Sequence, residues 1–285
     1  DGPGPGILDI PDNEYHALRY CSKHALDVIA DWSPMHLRYE REHPDEPTEA
    51  MKFGSAFHCL VLEPDEFDQR FVFAPKVDKR TNAGKAEWEK FCAGVPKGAT
   101  ILEEKHCDHL NYMRDAVMGH SAVRAILEAD GENEQAVIWD EEISVPMDWT
   151  HRLRCKLKAD IHRPSWSMLA DLKTCACASL EAFEKSIAEF AYHRQGAMYQ
   201  DGYAAHGVKI DHFAFICVEK AAPYGVAIYR LLGDAIELGR MQNDKLKLTY
   251  AACERNNNWW GYEQEFKDVS LPRWAFQRAL SQLQK

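Results

Sequence analysis

Hydrophobic positions recur along this chain with two different periods, and the change between them divides it. Up to about residue 130 the spacing is helical. In 49–62, Phe53, Phe57, Leu60 and Val61 fall at i, i+4, i+7 and i+8, the stripe of one buried helix face. Residues 16–42 read as helical material broken at Ser33-Pro34, since Pro is tolerated at the first helical position and Ser33 is a good start before it. The stretch 7–15 is short and extended with a turn signal. A loop from Pro75 leads into a short helix before Gly98, and 103–129 holds one or two more.

After Gly131 the period drops to two. Residues 134–139 and 152–160 read as strands. In the second, Leu153, Cys155, Leu157 and Ala159 point one way, while Arg152, Arg154, Lys156, Lys158 and Asp160 point the other. A turn at 162–167 leads into a returning strand, 167–174, with Asp171 and Lys173 on one face and Ala170 and Leu172 on the other. Ser179 then caps a helix with Leu180, Phe183, Ile187 and Phe190 on its apolar side. A further helix, 191–206, ends at Gly207 and places Gln195 and Tyr199 one turn apart. Strands at 212–219 and 225–232 and a long helix at 234–255 follow, and a Trp-rich tail is expected to pack on the core. This order predicts an α/β fold, a central mixed sheet flanked by helices.

Composition narrows the picture in three ways. The opening DGPGPG looks like a cloning scar or truncation edge and is set aside, leaving one expected domain, 7–285, mainly helical over 7–130 and sheet-based over 131–285. Nine cysteines, an odd number with no CxxC pair, point to buried reduced thiols and a cytoplasmic setting rather than a disulfide or zinc framework. No apolar run is long enough to span a membrane. The net charge of −11 speaks against a non-specific nucleic-acid coat, though an acidic chain can still carry a local basic groove.

The candidate chemistry lies at the hairpin. Asp160 and Asp171, with Lys173 two residues beyond, converge at the end of a strand–turn–strand unit. Mg²⁺ favours one or two protein carboxylates plus carbonyls and waters, so Asp160, Asp171 and a carbonyl near Leu172 form a plausible ligand set for phosphodiester hydrolysis. Lys173 would orient or help deprotonate the attacking water and offset transition-state charge. Glu134 on the neighbouring strand and His58 from the 49–62 helix are candidates for a second ion. By spacing alone His58 fits packing better than ligation, and a solvated Asp–Lys pair is the ordinary explanation of so short a pattern.

The residues also carry a resemblance. ADIHRP and ADLKT together resemble the PD-(D/E)xK motif of a nuclease superfamily with a restriction-endonuclease-like core. Gln195 and Tyr199 in YHRQGAMYQDGY resemble the QxxxY motif of its RecB-type branch. GILDIPDNEYHA, EPTEAMKFGSAFHCLVLEPDEF, KRTNAGKAEW and SLPRWA extend the likeness to the RecE-type exonucleases (exonuclease VIII), a phage-derived family similar to lambda exonuclease. Two departures stand out: Lys158-Ala159-Asp160 replaces an Arg-Pro-Asp, and Cys175 replaces a second Thr.

The resemblance implies an active-site set of His58, Asp160, Asp171 and Lys173, with Glu134 the acidic residue of the preceding strand and Gln195 and Tyr199 in support. It implies Mg²⁺, with Mn²⁺ as a substitute, and 5′→3′ digestion of linear double-stranded DNA to leave 3′ tails. It further implies a ring-like homo-oligomer, a trimer or tetramer, working with a single-strand annealing protein of RecT type in a bacterial or phage-infected cell. Arg152, Arg154, Lys156 and the basic 76–85 loop would then line a cationic channel, and Ser33, Arg38 and Arg80 are candidates for a phosphate pocket. The alternatives are an endonuclease of the same superfamily and a catalytically silent DNA-binding scaffold.

Overall fold

The computed structural model describes residues 2–283. Asp1, part of the stretch set aside above, and the last two residues of the tail lie outside the described residues. The chain opens with β1 (Gly6–Leu8), α1 (Asp12–Ala17), α2 (Lys23–Asp31), α3 (Pro34–Glu42), α4 (Glu49–Leu62) and α5 (Phe67–Arg70). It continues through β2 (Phe71–Phe73), α6 (Asn82–Gly94), β3 (Thr100–Leu102), α7 (His106–Gly119) and α8 (Ser121–Glu128). Then come β4 (Glu132–Val145), β5 (Trp149–Arg163), β6 (Met168–Cys175), α9 (Leu180–Glu189) and α10 (Tyr192–Ala204). Last are β7 (His212–Glu219), β8 (Val226–Arg230), α11 (Gly233–Asn256) and α12 (Arg273–Leu283).

Six strands form one mixed sheet in the order β1-β4-β5-β6-β7-β8, and β2 and β3 form a separate parallel pair. Only β6 and β7 are parallel within the large sheet, because α9 and α10 make the crossover between them. Two apolar cores result. One joins α2, α3, α9, α10 and α11 to the sheet through residues such as Leu26, Phe183 and Phe215. The other joins α4, α7 and α8 through Phe57, Leu110 and Leu172. The α/β architecture, with a mixed sheet flanked by helices, is the one the periodicity predicts.

Local chemistry explains most element boundaries. Ser22, Thr48, Thr81 and Ser179 each accept a backbone N–H of the helix they precede. Arg163, whose side chain is buried, donates to the carbonyls of Ile126, Leu127 and Glu132 and to Asn133 Oδ1. It thereby collects the carbonyls left free where α8 ends and ties them to β5.

In the opening stretch Gly6 pairs with Ile138, and the Tyr20 hydroxyl donates to the Pro3 carbonyl. Two expectations need adjusting. The region 16–42 breaks twice, since residues 18–22 run extended along β5, where Cys21 N–H donates to Arg154 O and Lys156 N–H to Cys21 O. The tail packs at its start, where Trp259 meets Tyr250 edge-on and Met35 N–H donates to Trp260 O, but among the described residues none of α12 is buried.

The crossing of α10 and α11 fixes how the first turn of α10 sits on the sheet. Gly239 of α11 faces the His193 carbonyl so closely that a β-carbon there would overlap it. One turn on, buried Asn243 donates to the Arg194 carbonyl at 2.8 Å. In an open helix interior Gly→Ala stabilises by about 0.5–1 kcal/mol; here backbone overlap outweighs that gain. Gly239→Ala is expected to destabilise by about 1–3 kcal/mol, and urea unfolding at equilibrium measures both sign and size.

Candidate active site

β5 and β6 are hydrogen-bonded neighbours over three residue pairs only, Ile161↔Ala170, His162↔Leu169 and Arg163↔Met168. The next pair in register would be Asp160 and Asp171, and there the strands part. Leu172 N–H, which has lost its ladder partner, donates instead to Asp160 Oδ2 at 2.8 Å. A strand residue presents its N–H and C=O to the same side, so the Leu172 carbonyl also faces the fork. The divergence leaves a gap in the sheet with one aspartate on each wall.

The β4–β5 ribbon changes course at the same level. Ala159 packs in one core and Ile161 in the other. Glu134, opposite Asp160 in the register, has a φ of 51°, a left-handed conformation rare for a residue with a long side chain. That kink brings its carboxylate to the fork. His58 reaches the same point from α4, with Nδ1 3.4 Å from Asp160 Oδ2 and 3.9 Å from Glu134 Oε1. Ligand atoms of His58, Glu134 and Asp160 all lie within 4.8 Å of one another.

Asp171 stands on the other wall with partners of its own. Lys173 Nζ is 2.6 Å from its Oδ2, and Gln195 Nε2 donates to its Oδ1. Lys173 also lies over the Tyr192 ring, 4.8 Å from its centre. Tyr199, one turn after Gln195, lines a cleft of about 360 Å³ together with His58, Glu134 and Asp160. The donor set, two carboxylates and an imidazole with a further carboxylate and a carbonyl beside them, fits a hard divalent cation that takes mostly oxygen ligands.

Burial and crowding of like charge shape the titration of these groups. Burial works against a charged His58, but Asp160, Glu134 and Asp171 overcome it and raise its pKa to about 9. Burial and the neighbouring Asp171 carboxylate lift Asp160 to about 7, against the pull of His58. Lys173 is opposed by burial yet held by Asp171 and Asp160 at about 12, which makes it an ammonium at neutral pH. In this state Lys173 is suited to holding charge and orienting a water; the role of proton acceptor needs a neutral amine.

Residues 14–264 match the family described as DUF3799, PDDEXK-like domain of unknown function. The chain belongs to that family. Among solved structures, a "putative exonuclease" from Eubacterium rectale aligns with this DUF3799 chain at 13% identity and a TM-score of 0.62, covering 93% of this chain and 96% of that one. A second solved chain, SSO0001, aligns at 14% identity over 68% of this chain and 85% of that one, with a TM-score of 0.27. No curated protein matches significantly. The family and the fold agree with the PD-(D/E)xK part of the resemblance read from the motifs.

Other residues singled out by the DUF3799 sequence fall elsewhere. Arg152 and Arg154 both bind Asp140, and Lys156, only 7% exposed, donates to the Tyr15 carbonyl at 2.7 Å. Arg152 and Arg154 thus share one carboxylate from β4, with Arg152 still exposed, and only Lys156 is covered, by the segment that precedes α2. Burial lowers Lys156 to about 8. Ser33 is buried against His36, Arg38 pairs with Glu42, and Arg80 pairs with Asp78; none of the three lines the cleft. The cleft instead holds Asp12, Glu63, Arg70 and Lys158. Only Lys158 of these stood in a legible pattern, as part of the alternation of β5.

Ligation by His58 Nδ1 and Asp160 requires both to lose their protons. Affinity for Mg²⁺ or Mn²⁺ is therefore expected to rise with pH between about 6 and 9, by up to roughly tenfold per unit for each proton displaced. Calorimetric titration in buffers of different ionisation enthalpy reads that proton release; an affinity flat across the range would contradict it. In the metal-free protein the raised His58 pKa works the other way. Its stabilising share is complete below about 6.5 and fades as pH climbs through about 9.

Proposed function

We propose that this protein is a divalent-metal-dependent nuclease that digests linear double-stranded DNA from the 5′ end and leaves 3′ single-stranded tails. The observation that carries the reading is the convergence, at one sheet fork, of His58, Glu134 and Asp160 with the Asp171–Lys173 pair. The membership in a PDDEXK-like family supports hydrolysis of a phosphodiester. The polarity, the linear substrate and the role in recombination by strand annealing rest on the RecE-type resemblance of the motifs. So do a ring-like homo-oligomer and a RecT-type partner.

Asp160, Glu134 and His58 would hold the ion, Mg²⁺ or its substitute Mn²⁺, with Asp171 and the Leu172 carbonyl at its edge. When bound, such a cation supplies Lewis-acid stabilisation of negative charge on the phosphoryl oxygens. Lys173 sets an ammonium beside the same oxygens and orients the attacking water. Gln195 fixes Asp171 by donating to one of its oxygens, so the lysine meets the other in a single geometry. In the reaction a water oxygen bonds to phosphorus and its proton passes to solvent, while the P–O bond to the bridging oxygen breaks and that oxygen leaves as an alcohol, taking up a proton from solvent. Tyr199 and the walls of the cleft position the strand. Among the described residues no helix is long and apolar enough to cross a membrane.

Incubation with linear and covalently closed duplex, in Mg²⁺ or in EDTA, tests this directly. The protein is expected to degrade the linear form in Mg²⁺ only and to spare the circle; cutting of the circle would favour the endonuclease reading. Asp171→Ala is expected to lose activity by about 10²–10³-fold or more, and activity equal to that of the unmodified protein would remove the site assignment. Lys173→Ala is expected to keep metal and DNA binding while losing most turnover. Calorimetry separates those two effects, and a loss of metal binding would contradict the role given to the lysine.

A further inference from the structure

Asp12 enters no step of the reaction proposed above, yet it lies in the same cleft. Its two carboxylate oxygens are divided between two cations: Oδ2 meets Arg70 Nη2 and Oδ1 meets Lys158 Nζ, both as close ion pairs. Arg70 closes α5 and also meets Glu63 Oε2 through Nη1 at 2.6 Å. Lys158 precedes Asp160 by two residues and stands 3.4 Å from Glu134 Oε2. A guanidinium and an ammonium offered to two oxygens of one anion form an arrangement that also suits a phosphate.

The placement of Asp12 differs from that of Lys158. It is the first residue of α1, a helix of six residues with Pro11 before it and no side-chain cap. The helix is anchored at its other end, where Tyr15 is buried and its carbonyl accepts from Lys156 Nζ. Asp12 is 33% exposed, whereas Lys158 is only 11% exposed. The cation is thus built into the sheet, while the carboxylate is laid over it from a short helix end.

We infer that Arg70 and Lys158 form a site for a DNA backbone phosphate beside the cleaved bond, and that Asp12 is an internal anion occupying it in the free protein and displaced when DNA binds. The inference rests on the nuclease reading. Charge supports it. In the cleft and on its walls, His58, Arg70, Lys158 and Lys173 face five carboxylates: Asp12, Glu63, Glu134, Asp160 and Asp171. Of the cations further along β5, Lys156 is covered and Arg152 and Arg154 share Asp140; none of the three lines the cleft. Exchange of Asp12 for a phosphate leaves both Arg70 and Lys158 paired with oxygen, so duplex DNA can approach an acidic chain without leaving a cation bare.

The test is binding of a short fluorescent duplex by anisotropy, in EDTA to prevent cleavage, over a range of salt concentrations. Asp12→Asn keeps the shape and removes the charge. It is expected to tighten binding by on the order of tenfold, because the competing carboxylate and its two ion pairs are removed. Arg70→Gln is expected to weaken binding and lower the salt slope by about one, and Asp12→Asn/Arg70→Gln to lose the gain of the single change. Asp12→Asn binding no tighter than the unmodified protein would overturn the inference, and a lowered melting temperature with unchanged binding would assign Asp12 to structure alone. If Arg70→Gln does not fold, Asp12→Asn alone decides. Mg²⁺-dependent degradation of linear duplex by the unmodified protein is scored in parallel. Degradation with no effect of Asp12→Asn rejects the phosphate site only, whereas neither degradation nor DNA binding rejects the nuclease reading beneath it.

Discussion

Everything at the cleft depends on the early parting of β5 and β6. A ladder that continued past Ile161↔Ala170 would fill the gap with backbone hydrogen bonds and leave no space between Asp160 and Asp171. Parting the strands strands polar groups, and a buried N–H without a partner costs about 1–3 kcal/mol. Asp160 meets that demand by accepting from Leu172 N–H, so the carboxylate that shapes the site also seals the opened sheet. The remaining walls are held by longer ladders. β6 is held on its far side by an eight-residue parallel register with β7, and β5 is held by β4 along most of its length.

The same opening sets the electrostatics. Placing Asp160 and Asp171 on facing walls, with Glu134 above them, concentrates negative charge where water is scarce. The protein balances it with His58 from one side of the sheet and Lys173 from the other. That balance is incomplete without a further cation, as the elevated pKa of Asp160 indicates. A cluster that carries excess carboxylate in a partly dry cleft is better suited to receive a metal ion than to stabilise the empty fold.

Much of this was legible from residue order because the main elements are long relative to their period. β5, β6, α9, α10 and α11 each run for two or more turns or several alternations, so the shared face of Asp171 and Lys173 and the pairing of Gln195 with Tyr199 could be read directly. β1, β2 and β3 are three residues each, too short to show alternation. His58 sits at the edge of an apolar stripe, and spacing alone favoured packing; only the family likeness drew attention to it. Asp12 and Arg70 had no local signal at all, since their meeting depends on how α1 and α5 fold over the β4–β5 ribbon. The basic alternation of β5 identified a face correctly but could not say that β4 and the first helices would claim it. α12 taught the complementary lesson: an amphipathic pattern shows which side is apolar and not whether anything covers it.

The left-handed backbone at Glu134 carries a structural consequence. Glycine or asparagine would adopt that conformation with less strain, of the order of 1–3 kcal/mol for a residue such as glutamate. Relief there would remove a carboxylate from the cluster. A relaxed β4 and a carboxylate at this point of the fork are thus mutually exclusive outcomes at position 134, and the chain carries the strained one.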